Sequence, residues 1–336
     1  MFSAYFGEET ESSRNTCHYF SYRFAQPRYL TTLAMTAMID PQVGPVLDLG
    51  CGSGHVTHHL QSIDPEQIVV GVDKSYFMLY VAKNWIAKDT LYVLCDAETR
   101  LPFDDDVFGS VLCSNTFHFL SDMDSCANEL RRITVRDGVF FLTAVRNALQ
   151  PHSTPNNALS PRQYAELWGD LSVALLPDDM ILRQYLEGKS PDLSTNSNWE
   201  SLEHAPLISL VASADDRPFH PGEPFSSWPH ARGRLRINPL YRIERRPEGD
   251  LSLTLVEPSR FFADENIEAN AYLPERAAVS AQAVADLEDG KSSVEVRRLV
   301  EKCVFVGMPT GYARSIEVLP PRVTRTPDSG SGREAR

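Results

Sequence analysis

The chain has 336 residues, of which 42% are hydrophobic and 23% charged, and it carries a net charge of −13. That balance predicts one large or two soluble globular domains with a sizeable core. It argues against nucleic acid as a partner, since such binding rests on neutralising phosphates with Lys and Arg, and no apolar run approaches the ~18 residues of a membrane-spanning helix.

The first nine residues are acidic and lack the basic and apolar regions of a secretory leader, so a cytoplasmic protein is expected. The six cysteines, Cys17, Cys51, Cys95, Cys113, Cys126 and Cys303, show no CxxC spacing. They are expected to be free thiols in a reducing compartment, with no metal site. Residues 1–40 are expected to form a cap. Tyr19, Phe20, Tyr22, Phe24 and Tyr29 make an aromatic cluster, and Leu30–Ile39 predicts a helix ended by Asp40-Pro41. The cluster fits two roles equally, packing against the next domain or forming a flap over a ligand pocket.

From 43 to 145 strands alternate with helices. Strands are predicted at Val46–Leu49, at Ile68–Val72 ending in Asp73, at Leu91–Cys95 ending in Asp96, at Val107–Asn115 and at Val139–Val145. Helices are predicted at Val56–Ser62, Tyr76–Ala87 and Met123–Val135. This rhythm predicts an α/β, Rossmann-like, doubly wound and mostly parallel sheet. Ligands bind such sheets at the carboxyl ends of the strands, near the switch in strand order.

Beyond Asn147 the pattern changes to an elaborated α+β region. Gln163–Gly188 predicts one or two helices broken at Pro177, Pro191–Ser201 a loop, and Pro206–Pro229 an irregular segment. Arg234–Ile237 alternates like a strand. Leu240–Arg245 and Leu251–Val256 flank Arg246–Asp250 as a β-hairpin. Pro274–Leu287 and Ser293–Cys303 look helical, and Pro320–Arg336 is expected to be disordered. The expected division is a cap at 1–40, a ligand-binding core at 41–150, a substrate-binding region with the closing strands at 151–318, and a tail at 319–336.

Gly50, Gly52 and Gly54 alternate between the first strand and the first helix, where the backbone can take φ > 0 and a ligand can approach the main chain. A dinucleotide site wants G-x-G-x-x-G, but the third position is His55 or Thr57 in the two registers. A phosphate loop is excluded too, since no Gly-Lys-Ser/Thr follows.

Val46-Leu47-Asp48-Leu49-Gly50-Cys51-Gly52-Ser53-Gly54 resembles motif I of class I S-adenosylmethionine-dependent methyltransferases. Asp73 matches the family's ribose-binding acid. Asp96-Ala97 with Leu101-Pro102-Phe103 resembles its adenine motif, Phe108–Asn115 its strand-four motif, and Leu130–Ile133 with Asp137–Phe140 the helix and fifth strand of its small-molecule and lipid branch, which is methyltransferase type 11-like. Five motifs fall in order over about a hundred residues. The resemblance implies S-adenosyl-L-methionine as cofactor. Its binding set would be Asp48, Gly50, Cys51, Gly52, Gly54, Asp73, Lys74, Asp96, Ala97, Asn115 and Phe117, with Asn115 and Phe117 lining the reactive end. Asp48 would meet the ammonium or simply hold the turn, and Asp73 and Asp96 each have an alternative as a local turn or cap residue.

His118, just after strand four, is the candidate general base, its alternative being packing beneath the cofactor. His55, His58 and His59 are expected at the surface or beside the cofactor, and His152, His204, His220 and His230 lie in the second region. The implied activity is methyl transfer to a small-molecule acceptor, with O-methylation the modal choice over N- and C-methylation. The Asn115-Thr116-Phe117-His118 loop is not the Asn-Pro-Pro-Tyr type. Trp168, Trp199, Trp228, Phe219 and Phe225 suit either an apolar acceptor or an ordinary core. The closing strands must come from Leu207–Val211, Leu235–Ile237, Leu240–Val256 or Val304–Val318, and Cys303–Val318 is expected to supply one. A homodimer is compatible with this reading. Two rivals are a protein that binds the cofactor without methyl transfer and a nicotinamide oxidoreductase, the latter disfavoured by the missing third glycine.

Overall fold

The computed structural model describes residues 10–152, 154–194, 198–220, 234–266 and 272–308. Its centre is a seven-stranded sheet. Five strands, β1 (Val46–Leu49), β2 (Val69–Asp73), β3 (Leu91–Leu94), β4 (Phe108–Ser114) and β5 (Thr134–Arg146), run parallel. Two more, β6 (Ser172–Pro177) and β7 (Leu207–Ser213), complete the order β3-β2-β1-β4-β5-β7-β6. β7 is antiparallel to both neighbours. The order reverses between β1 and β4, so a crevice opens there at the carboxyl ends.

Both faces of the sheet are covered, and alternate residues divide between two cores. Val46, Leu112, Val139, Phe141, Ala174 and Val211 belong to one cluster. Leu47, Val111, Cys113, Phe140, Leu142 and Leu210 belong to the other. Each buried Val, Leu or Phe among them contributes roughly 1.5–3 kcal/mol by leaving water. The second face is sealed by the helix Met123–Ile133, which buries Met123, Cys126, Leu130 and Ile133, and by Tyr164 and Trp168. Trp168 is therefore core, its ring centroid 4.6 Å from that of Phe140. Of the other aromatics weighed for an acceptor, Trp199 lies under the Arg162 guanidinium and Phe219 packs on the first cluster, while Trp228 and Phe225 lie outside the described residues.

The N-terminal cap holds two helices, α1 (Glu11–Tyr22) and α2 (Pro27–Thr36), joined by a turn at Arg23–Ala25. α1 was not expected as a helix, and α2 begins earlier than the predicted Leu30 because Pro27 pre-sets its first turn. Next come α3 (His55–Ile63), α4 (Tyr76–Val81, continuing as a wide turn to Ile86) and α5 (Met123–Ile133). α6 (Pro161–Glu166), α7 (Asp178–Leu186) and α8 (Trp199–His204) follow β5.

Two expectations about the closing strands are corrected. Residues 172–177 form β6, not part of a helix. Buried on both faces, Ala174-Leu175-Leu176 is a continuous apolar run, and periodicity cannot tell such a strand from a helical segment. Pro177 ends the strand and is followed directly by α7. Of the expected closing stretch Cys303–Val318, the described part does not join the sheet, and residues 309–318 lie outside the described residues. β12 (Phe305–Met308) pairs antiparallel with β8 (Arg234–Ile237) in a separate ribbon, because β7, wholly buried, already occupies the place beside β5. Residues from 309 onward, the expected disordered tail among them, lie outside the described residues.

The remaining chain forms a small α+β unit. The expected hairpin is present as β9 (Tyr241–Arg245) and β10 (Leu251–Leu255), extended by β11 (Arg276–Val279). The helix expected from Pro274 begins only after that strand, as α10 (Ala281–Glu288), with α9 (Arg260–Glu265) before it and α11 (Val294–Glu301) after. This unit shares the first core with the cap: Leu253, Val300 and Phe305 cluster with Phe24, Tyr29 and Leu33. Asn238 Nδ2 donates to Cys303 O at 2.9 Å and to Ala25 O at 3.4 Å, tying the cap turn to the unit. No helix among the described residues is long and apolar enough to cross a membrane.

Candidate active site

The glycine turn sits at the switch point and is held from three sides. Gly50 and Cys51 donate their N–H groups to Val72 O at 2.8 and 3.0 Å. Gly52 N–H donates to Asp73 Oδ2 at 2.9 Å. Thr116 Oγ1, on the loop after β4, donates to Gly50 O at 3.3 Å. Gly50, Gly52 and Gly54 have φ of +69°, +54° and +78°. A Cβ on Gly50 would lie 2.3 Å from Thr116 Cγ2, whereas one on Gly52 would meet nothing within 4 Å. The turn is thus closed at Gly50 and open at Gly52.

The three strand-end carboxylates differ in surroundings. Asp48 is buried and accepts from Thr57 Oγ1 at 2.5 Å, so the start of α3 is bonded to the end of β1. Burial pushes its carboxyl up to about 6, against the hydrogen bond from Thr57, which lowers it. Asp73 is half-buried; its Oδ1 accepts from Ser75 N–H at 2.8 Å while Oδ2 holds Gly52. The cap of α4 is Ser75, not Asp73. Asp96 is half-buried, and its Oδ1 accepts from Glu98 N–H at 3.1 Å. Lys74 is exposed, Ala97 packs on the α5-side core, and the Cys51 thiol is pushed up by burial.

Beyond β4 the backbone turns sharply. Asn115 has φ +53° and donates its N–H to Thr143 O at 2.8 Å. Its Oδ1 accepts from Arg28 Nη1 at 3.4 Å. Thr32 Oγ1 lies 2.9 Å from both Ser114 Oγ and Thr143 Oγ1, which fastens α2 to the ends of β4 and β5. Next to this seam a small cleft is lined by Pro27, Arg28, Leu182, Asp178, Leu207 and Tyr272, among others.

Two sequence expectations need correction here. Phe117 is fully buried inside the α5-side core, so its ring has no face to offer a ligand. His118 is also fully buried. Its Nδ1 accepts from the Arg146 N–H at 3.4 Å, which places the ring proton on Nε2, an atom without a partner among the described residues. Burial, then the charges of Arg146 and Arg28, lower its pKa to about 3. A general base needs a lone pair turned to the acceptor, and this tautomer has already given its lone pair to the main chain. His55 is buried as well. Its ring is shared between Ser53 Oγ at 3.0 Å and Phe20 O at 3.2 Å, and burial lowers its pKa to about 3.

Sequence reasoning missed Thr57, Thr116 and Arg28, which fix the turn and the seam. A Thr two residues into the helix after Gly54 was the available signal for the first. The other two act between distant segments, and nothing local marks them.

Residues 47–142 match the family model described as a methyltransferase domain. They form a class I S-adenosylmethionine-dependent methyltransferase domain. The match covers most of the five parallel strands, the glycine turn and the three carboxylates together. Among curated relatives, the malonyl-[acyl-carrier protein] O-methyltransferase of Geobacter sulfurreducens is 29% identical over 131 residues, 38% of this chain and 48% of that one. The demethylmenaquinone methyltransferase of Roseiflexus castenholzii is 28% identical over 120 residues, 36% of this chain and 50% of that one. The chain thus spans half or less of the length of these relatives. The YcgJ protein of Bacillus subtilis, a solved structure, shares 18% identity over 54% of this chain and 98% of its own, with a TM-score of 0.37.

The residues of the methyltransferase domain fit the cofactor by the chemistry of the donor set. The turn at Gly52 leaves room that a Cβ would fill. Asp73 and Asp96, both part-exposed, present acceptors at the ends of β2 and β3.

Proposed function

We propose that the protein transfers a methyl group from S-adenosylmethionine to a small anionic acceptor, an O-methylation of a carboxylate. The observation that carries the cofactor half is the convergence of the Asp73 carboxylate with the open Gly52 turn at the switch point. When bound, the cofactor supplies a sulfonium whose methyl is already a strong electrophile.

The chain's residues then bind, orient and exclude water. Gly50, Gly52 and Gly54 offer main-chain groups, Asp73 accepts hydroxyl protons of the ribose, and Asp96 with the Ala97 N–H reads the base. Asp48 acts through Thr57 by holding the first turn of α3. Asn115 and Arg28 form the wall between this site and the cleft under α7. The cap helix α2, which carries Arg28, is bonded through Thr32 to Ser114 and Thr143 of β4 and β5. Positioning and desolvation of this sort can supply most of the rate effect.

Two features support this acceptor class. Arg28 borders the cleft at its junction with Asn115, and guanidinium groups suit planar carboxylates. A carboxylate needs no general base, which accords with a neutral His118. Two relatives named above carry out methylation, one of them on an acyl-carrier substrate as an O-methyltransferase.

The test is a screen with labelled S-adenosylmethionine against paired acceptors that differ only as carboxylate, primary amide or amine. Label is expected in the carboxylate series as a base-labile ester, and Arg28→Ala should raise KM at least tenfold with a smaller change in kcat. Transfer to the amine series alone, or an Arg28→Ala variant with unchanged KM, contradicts the acceptor assignment.

A further inference from the structure

The cleft beside the Arg28–Asn115 contact opens on the same edge of the sheet as the glycine turn. β7 runs antiparallel to both β5 and β6, with Leu207 opposite Arg146 and Ile208 opposite Pro177. The end of β6 and the start of β7 are therefore level with the carboxyl ends of β1, β4 and β5. Apolar walls come from Leu182, Pro206 and Leu207. Two opposite charges stand among them, Arg28 from α2 and Asp178 from the first turn of α7. Asp179 lines the cleft as well, but its carboxylate is paired with Arg183 at 3.1 Å, and both of those side chains are more than half exposed. Asp178 is the buried acid of the cleft, 7% exposed.

This carboxylate is fixed in place by three elements. Its Oδ1 accepts from Ser209 Oγ at 2.6 Å, and Ser209 Oγ in turn accepts from the Ala144 N–H at 3.3 Å. Ala144 has φ +53° and sits where the register of β5 against β7 breaks, between Leu142 and Val145. A non-glycine residue in that region is strained and persists only where its surroundings fix it. The preceding residue, Thr143, accepts from the Asn115 N–H, and Asn115 Oδ1 accepts from Arg28. The two charges of the cleft are thus anchored to consecutive residues of β5, Arg28 through Asn115 and Thr143, and Asp178 through Ser209 and Ala144. An acid held among apolar walls repels a plain carboxylate brought beside it. A ligand that carries a cation as well as a carboxylate meets an opposite charge at each end.

We propose that the acceptor is an amino-acid-like zwitterion, its carboxylate bound at Arg28 and its ammonium at Asp178, so that Asp178 sets the specificity of the cleft. The proposal rests on the carboxylate reading above and refines it. The accepting group is still the carboxylate, but the molecule also carries an ammonium. A cation beside a buried carboxylate holds its proton. The nitrogen therefore has no lone pair to offer, and the methyl goes to oxygen. The new oxygen–carbon bond forms as the carbon–sulfur bond of the donor breaks, with its electron pair going to sulfur, and no proton moves.

The test follows transfer from labelled S-adenosylmethionine to a panel of α- and ω-amino acids, each matched with its des-amino acid and its N-acetyl form. In wild-type protein kcat/KM for at least one free amino acid should exceed that of both its matches by about 10–100-fold, with the label in a base-labile ester. Asp178→Asn keeps an oxygen for Ser209 and removes the charge. It should raise KM for that amino acid by about 10–100-fold, leave kcat within about twofold and lower KM for the des-amino acid. A merely structural Asp178 would instead depress all three members of the set alike, which overturns the proposal. Wild-type protein that methylates the des-amino acids as well as the amino acids, or better, also overturns it without recourse to any variant, and leaves the carboxylate reading standing. A panel that yields no base-labile label, or label on nitrogen alone, overturns the carboxylate reading and the proposal with it.

Discussion

The carboxylate of Asp73 and the N–H of Gly52 are hydrogen-bonded at 2.9 Å, so the end of β2 holds the turn that follows β1. The register Asp48↔Gly71 and Leu49↔Val72 brings these two strand ends level, which makes the bond geometrically available. A ligand hydroxyl arriving at Asp73 meets a carboxylate already oriented by two N–H donors, Gly52 and Ser75. Preorganisation of this kind limits what must be ordered on binding.

The turn's glycines should separate folding from binding. Gly50→Ala places a methyl 2.3 Å from Thr116 Cγ2 at φ +69°, so both crowding and backbone strain oppose it. A loss of about 2–5 kcal/mol in denaturant unfolding is expected. Gly52→Ala meets only the strain of its φ of +54°, a cost of about 1–2 kcal/mol, yet its methyl occupies the open side of the turn. It should fold and bind S-adenosylhomocysteine at least tenfold more weakly. Equal destabilisation by the two substitutions would contradict the described geometry.

Asp48 carries a pH signature. Its folded pKa of about 6 stands above the ordinary value of 3.8. The folded state therefore binds more protons between those values, and this group's contribution to stability is fully present below the lower value and is lost as pH rises through about 6. Asp48→Asn, which keeps an oxygen for Thr57, should stabilise the ligand-free protein by about 1–3 kcal/mol at pH 8 and by almost nothing at pH 4. A gain that is the same at both pH values would show that the burial of charge is not its cause.

His118 runs in the opposite direction. Its folded pKa, about 3, lies below the ordinary 6.5, so the unfolded chain binds more protons in that window and stability falls as pH drops from 6.5 toward 3. His118→Gln leaves an acceptor for the Arg146 N–H and removes the titration. Between pH 7 and pH 4 it should lose less stability than wild type, by about 3 kcal/mol. Above pH 6.5 its transfer rate should follow the same pH profile as wild type. A profile that loses an ascending limb in the variant would restore the base role that the buried tautomer opposes.

The first five strands of the fold were legible because strongly β-branched runs such as Val69–Val72 alternate with helical segments and end in Asp. Asp73 and Asp96 were legible for the same reason, each standing at a strand's carboxyl end. β6 was not, since Ala174-Leu175-Leu176 is apolar without period. β12 misled because an apolar run at the C-terminal side looks like a closing strand until its partner, β8, is known. The position of His118 after β4 was legible. Its burial was not, because that depends on Arg146, some 28 residues away in sequence. Phe117 illustrates the same limit, since an aromatic beside a ligand loop can turn toward the ligand or into the core, and here α5 supplies the core. Of the two roles the cap's aromatics fitted, packing is the one the structure displays, with Phe24 and Tyr29 in the first core.

The most direct test of the account is a calorimetric titration of S-adenosylhomocysteine into wild-type protein and Asp73→Ala. Wild type should bind in the micromolar range, and Asp73→Ala should fold, with its turn loosened at Gly52, and bind at least tenfold more weakly. A wild-type protein that gives no heat of binding, or an Asp73→Ala variant that binds as tightly as wild type, would contradict the assignment of the glycine turn and the β2 carboxylate to this cofactor.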